Sequence, residues 1–169
     1  MLPAVQSTEE CLASFPRLAA PLHNWRPLTA RRPGQWGWLL LVLAVLSLAG
    51  IAIYPDYLFP MLWVAPLLII TGFQAICGED TLFRDLAHGD WRAVWLPALA
   101  ALACGFFWEM WNFKSLAHWE YSVPFVQRFH LFAMPVLGYA GYLPFGLECM
   151  AVSVMLDRVL GSEVYSREV

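Results

Sequence analysis

Two glutamates stand alone inside long apolar runs. Glu109 lies in Ala-Cys-Gly-Phe-Phe-Trp-Glu-Met-Trp-Asn, and Glu148 in Tyr-Leu-Pro-Phe-Gly-Leu-Glu-Cys-Met-Ala. An uncompensated charge at the centre of a bilayer costs on the order of 3 kcal/mol, so such residues mark function or a buried partner. Each is therefore a candidate proton donor, the catalytic acid if the protein is an enzyme. The competing reading for Glu109 is an interfacial residue wedged among Trp108, Trp111 and water. For Glu148 it is a helix hydrogen bond or a charge pair with Arg84 or Arg92.

The segment that follows Glu109 adds His118, Glu120 and His130. Imidazole and carboxylate suit zinc or iron, which makes these three weak metal candidates. Neither His-x-x-x-His nor Glu-x-x-His spacing is present, and a metal site is not the favoured reading. Acyl-transfer chemistry lacks a Gly-x-Ser-x-Gly, and there is no phosphate-binding glycine loop. No cofactor is required by any motif. Cys11, Cys77, Cys104 and Cys149 are scattered without ligand or disulfide spacing, so Cys104 and Cys149 read as small core residues.

These groups need elements to hold them, and composition says what kind. Of 169 residues, 60% are hydrophobic and 14% charged, against about a quarter charged in a soluble domain. The apolar residues come in blocks, as a membrane span of about 20 residues demands. The net charge of −3 gives no basic field for nucleic acid. The expected fold is all-α: a polytopic transmembrane bundle of about four spans with short interfacial helices. Residues 1–35 read as a cytoplasmic N-terminal segment with one short amphipathic helix at most, opened by a capping box at Ser7-Thr8-Glu9-Glu10. Residues 36–160 read as the transmembrane domain and 161–169 as a cytoplasmic tail.

The spans are expected at 36–54, 60–76, 93–111 and 131–156. The last is read as one bent helix, with a re-entrant segment plus a shorter span as the alternative, because Pro135, Gly138, Gly141, Pro144 and Gly146 interrupt it. Asp80 and Gly89 bracket a short interfacial helix between the second and third spans. Arg17, Arg26, Arg31 and Arg32 precede the first span, and Arg84 and Arg92 sit in the second loop. That bias places both termini on the cytoplasmic side of a bacterial inner membrane.

Helical spacing sets which way the glutamates face. Ala98, Ala101, Gly105, Glu109 and Asn112 share one stripe, and its small residues admit a neighbouring helix. Gly138, Gly141, Phe145 and Glu148 share another on the last span. A continuous last helix puts Glu148 about 20 Å below its outer entry, too far from Glu109 for a carboxylate dyad.

The runs Gly105–Asn112, Trp119–Pro124 and Met134–Glu148, covering roughly the C-terminal third, resemble a group of small uncharacterised bacterial integral membrane proteins. A fainter similarity links Trp119-Glu120-Tyr121 and Pro144…Glu148 to membrane-embedded carotenoid cyclases and hydratases. That resemblance implies acid catalysis on a polyene. It departs at Glu148, which is single where the cyclase pattern has adjacent acidic residues. The tryptophan count (nine) is like that of the tryptophan-rich sensory family, whose tryptophan motifs are absent here. The leading expectation is an accessory subunit of a membrane complex, packing on other subunits or on itself in the lipid bilayer, with lipid or pigment as a candidate ligand. The alternative is a small membrane enzyme or binder for a lipid or isoprenoid.

Overall fold

The computed structural model describes residues 1–121 and 128–160, with residues 158–160 described by their backbone alone. The tail 161–169 and the Ser122-Val123-Pro124 part of the sequence pattern lie outside the described residues. The helices are α1 (Leu2–Ala13), α2 (Pro16–Ala19), α3 (Pro33–Ile51), α4 (Pro55–Leu58), α5 (Met61–Cys77), α6 (Arg92–Phe113) and α7 (Tyr142–Leu160). Proline opens α1, α2, α3 and α4, at the position where its missing N–H removes no helical bond and its φ is already helical.

Among the described residues, three segments are long and apolar enough to cross a membrane: Pro33–Ile51, Arg92–Phe113 and Val136–Asp157. Helix α5 is shorter, at 17 residues. It is stopped by Gly78, which adopts the left-handed conformation at φ 73°. The bundle is built by contact: α3 packs on α5, α5 on α7, and α7 on α6. Glycines set the close approaches. A Cβ on Gly37 would fall 2.7 Å from the Gly72 carbonyl oxygen, so α3 and α5 meet backbone to backbone. A Cβ on Gly146 would fall 2.1 Å from the Pro97 carbonyl oxygen, so α7 seats directly on α6.

The last apolar stretch holds one candidate span, Val136–Asp157, which starts five residues later than expected. Residues His130–Leu131 (β1) and Met134–Pro135 (β2) form a two-stranded antiparallel hairpin. A 3-10 segment, Val136–Gly141, follows, and α-helix begins only at Tyr142. Phe132 at the hairpin tip, at φ 58°, lies 5.4 Å from the Phe106 ring and 6.0 Å from that of Phe113, which fixes the hairpin against α6. The interruption has a consequence for the glycine stripe expected on this span. Gly141 is exposed and faces open space: a Cβ there would meet no atom within 4 Å. The contact face of α7 runs instead through Tyr142, Gly146, Cys149 and Ser153.

The N-terminal segment folds more extensively than one amphipathic helix. Helix α1 packs along α6 and α7. Val5 is completely buried in a cluster with Ala100, Ala101 and Cys149. The Thr8 hydroxyl lies 3.4 Å from the Cys104 thiol, and the Gln6 amide donates to the Ser153 hydroxyl. Residues 22–28 then run against 86–91. Trp25 N–H donates to the Gly89 carbonyl at 2.9 Å and Leu28 N–H to that of Leu86 at 2.8 Å. Gly89 ends the 3-10 turn Arg84–His88 at φ 80°, and a Cβ there would lie 2.4 Å from the Trp25 carbonyl oxygen. Two independent constraints therefore require glycine at this position. The expected interfacial helix is this single 3-10 turn. It ends at Gly89 as expected and starts four residues after Asp80, which pairs with Arg84 at 2.6 Å.

Candidate functional site

The stripe on α6 faces protein along its whole length. Ala98, Ala101, Gly105, Glu109 and Asn112 are all buried, and Glu109 is fully so, at 0% exposure. What meets it comes from two distant parts of the chain. The Tyr142 hydroxyl, from the first turn of α7, donates to Glu109 Oε1 at 2.9 Å. The Tyr121 hydroxyl, from the segment after α6, donates to the same oxygen at 2.5 Å. Glu109 Oε2 is buried with no hydrogen-bond partner among the described residues.

Tyr142 reaches this carboxylate because Gly105 lies one turn earlier on the same stripe. A Cβ on Gly105 would lie 2.5 Å from the Tyr142 ring, so only glycine leaves room for it. Tyr121 is held from the other side. Its hydroxyl accepts from the Trp119 indole N–H at 2.5 Å. Asn112 then grips the Trp119 backbone twice: its amide donates to the Trp119 carbonyl and its carbonyl accepts the Trp119 N–H, both at 3.0 Å. Burial raises the Tyr121 hydroxyl above the ordinary phenol value, and its hydrogen bond to Glu109 adds to this. It therefore stays protonated and donates. Tyr139 stacks 6.0 Å from Tyr142 and donates to the Leu131 carbonyl at 3.3 Å, tying the hairpin to the same cluster.

The other expected site residues lie elsewhere. His118 and Glu120 are exposed and approach each other at 3.6 Å, and His130 is exposed on β1. Among the described residues no group of three histidine, cysteine or carboxylate side chains is placed to hold a metal ion. Glu148 sits only six residues beyond Tyr142, about 9 Å along α7, much nearer the Glu109 end than a continuous helix from residue 131 requires. It is still no partner of Glu109. Gly146 marks the α6-facing side of α7, and two residues turn a helix by about 200°. Glu148 is half-buried, and its Oε2 has no hydrogen-bond partner among the described residues. The basic partners expected for it are taken: Arg84 pairs with Asp80 and Arg92 with Asp90, each at 2.6 Å. The Arg92 pair outweighs the desolvation of Asp90 and holds its carboxyl below the usual range.

Sequence reasoning placed Glu109 and Asn112 on the right face and missed Tyr121 and Tyr142 as their partners. They stand 12 and 33 residues from Glu109, outside any helical period. Only the return of the chain over α6 brings them together. Chemically, the arrangement clasps three segments around one carboxylate and leaves one carboxylate oxygen able to accept a further hydrogen bond. Comparison with protein-family models, with curated proteins and with solved structures finds no match.

Proposed function

We propose that this chain is a small, non-catalytic integral membrane subunit that packs against other membrane proteins or against itself. The carrying observation is the Glu109 clasp. A fully buried carboxylate that accepts from two tyrosines of separate segments supports a role in holding the bundle. Broad apolar faces support the packing role: Trp38, Leu46 and Phe73 are each more than 60% exposed. In this reading α5 is the fourth crossing, since 17 residues fall at the short end of the range for a span. Both termini face the cytoplasm of a bacterial inner membrane, in keeping with the arginines before α3 and around the 3-10 turn.

A second reading, a binder or enzyme for a lipid or isoprenoid, rests on two carboxyl oxygens without a hydrogen-bond partner among the described residues, Glu109 Oε2 and Glu148 Oε2. Each can accept a hydrogen bond from a ligand hydroxyl or, when protonated, supply a proton. Purification in mild detergent followed by mass spectrometry of co-purifying proteins and small molecules separates the two. A stoichiometric protein partner or a homo-oligomer is expected. A monomer carrying a bound polyene or isoprenoid overturns the subunit reading in favour of the second.

A further inference from the structure

At the end of the bundle opposite Glu109, the first turn of α3 borders an open pocket of about 800 Å³ lined by Arg31, Arg32, Gln35, Trp36 and Leu39. Both arginines are exposed, and neither forms an ion pair among the described residues. Among the described residues Arg32 reaches the Gln35 amide oxygen alone, at 3.5 Å. From Cys11 to Pro55 the chain holds four arginines and no acidic residue. In the loop before α6, Asp80 and Asp90 are engaged by Arg84 and Arg92. The remaining wall is apolar. Trp36 and Leu39 are 55% and 53% exposed and lie one turn apart on a helix long enough to enter a membrane.

A site with a cationic mouth and an apolar wall selects an amphiphilic anion. Guanidinium groups present paired donors that match phosphate oxygens. Tryptophan at a span end favours the headgroup level, and basic side chains there attract anionic lipid. We propose that this pocket binds an anionic phospholipid, its phosphate between Arg31 and Arg32 and an acyl chain along Trp36 and Leu39. The inference stands on the membrane-spanning character of α3 and not on the subunit reading.

The test is native mass spectrometry of the full chain released from micelles doped with phosphatidylglycerol, phosphatidylcholine or inorganic phosphate. Retention of phosphatidylglycerol over phosphatidylcholine is expected. The double change Arg31→Gln and Arg32→Gln should weaken retention roughly 30-fold, from about 1 kcal/mol for each basic side chain. Trp36→Ala should weaken it too, whereas Arg17→Gln, on an exposed position outside the pocket, should leave it unchanged. Unaltered circular dichroism and melting of the variants would show that they fold. Equal retention of both lipids overturns the proposal, as does full retention by the double variant. Displacement of the lipid by inorganic phosphate at matched concentration also overturns it, since that outcome assigns a phosphate site with no acyl-chain component.

Discussion

The Tyr142 ring occupies the space that Gly105 leaves open, and its hydroxyl reaches Glu109 one turn further along the same helix at 2.9 Å. One aromatic side chain thus joins the close approach of α6 and α7 to the satisfaction of a buried carboxylate. Packing and polar chemistry are coupled there, and perturbing either should disturb both.

Tyr142→Phe should destabilise the protein by about 1–3 kcal/mol, the range for removing one partner of a buried hydrogen bond. Gly105→Ala should cost a similar amount, because overpacking a tight contact costs about 1–3 kcal/mol, and it should displace Tyr142 from Glu109. The double variant should cost less than the sum, since both changes break one contact. Denaturant titration of the three variants in detergent checks this. Strict additivity would show that the ring and the hydroxyl act separately.

Glu109→Leu should be more damaging than Glu148→Gln. Depth read from a continuous last helix favours Glu148 as the more consequential residue, but it is Glu109 that is fully enclosed and bound by two tyrosines. Removing it leaves two phenol hydroxyls without their acceptor. Folded yield and melting temperature give the comparison, and a larger loss with Glu148→Gln would return the weight to that residue.

Gly146→Ala should lower stability where Gly141→Ala should not. The first places a methyl group against the Pro97 carbonyl, whereas the second faces open space. The two melting temperatures in the same detergent decide it, with equal shifts arguing against the α6–α7 seating.

Thr8→Cys should form a disulfide with the native Cys104 on mild oxidation in membranes, given the 3.4 Å separation of the Thr8 hydroxyl from that thiol. Thr8→Cys combined with Cys104→Ser should not form this cross-link. Failure of the single variant to shift on a non-reducing gel would place α1 away from α6.

Docking of α1 should also respond to pH. Burial raises the Glu9 carboxyl above its ordinary value, with Glu10 adding repulsion. A raised carboxyl pKa means that the folded state prefers the protonated form. Stability from this group is therefore present in acid and lost as pH rises from the ordinary glutamate value of about 4.3 through the raised one. Melting temperature should climb as pH falls through this weakly acidic range. Glu9→Gln should flatten the response, and an unchanged slope in that variant would remove Glu9 as its source.

The sequence by itself determined the class of the molecule and the orientation of one helix. Blocks of apolar residues can be buried only in lipid or in a bundle, and the small-residue period on α6 assigns Ala98, Ala101, Gly105, Glu109 and Asn112 to its inner face. These are local properties, carried by composition and by a repeat of about 3.6 residues. Tertiary structure decided what Glu109 meets, because Tyr121 and Tyr142 reach it only after the chain folds back over α6. It also decided where the last helix starts. Glycines and prolines between residues 131 and 146 permit several backbones, and packing of Phe132 on Phe106 and of Gly146 on Pro97 selects the hairpin and 3-10 turn. The same holds for α1: Ser7-Thr8-Glu9-Glu10 falls inside the helix, which starts at Leu2 without a side-chain cap, and its burial depends on the Ala100–Ala101 surface that only α6 provides.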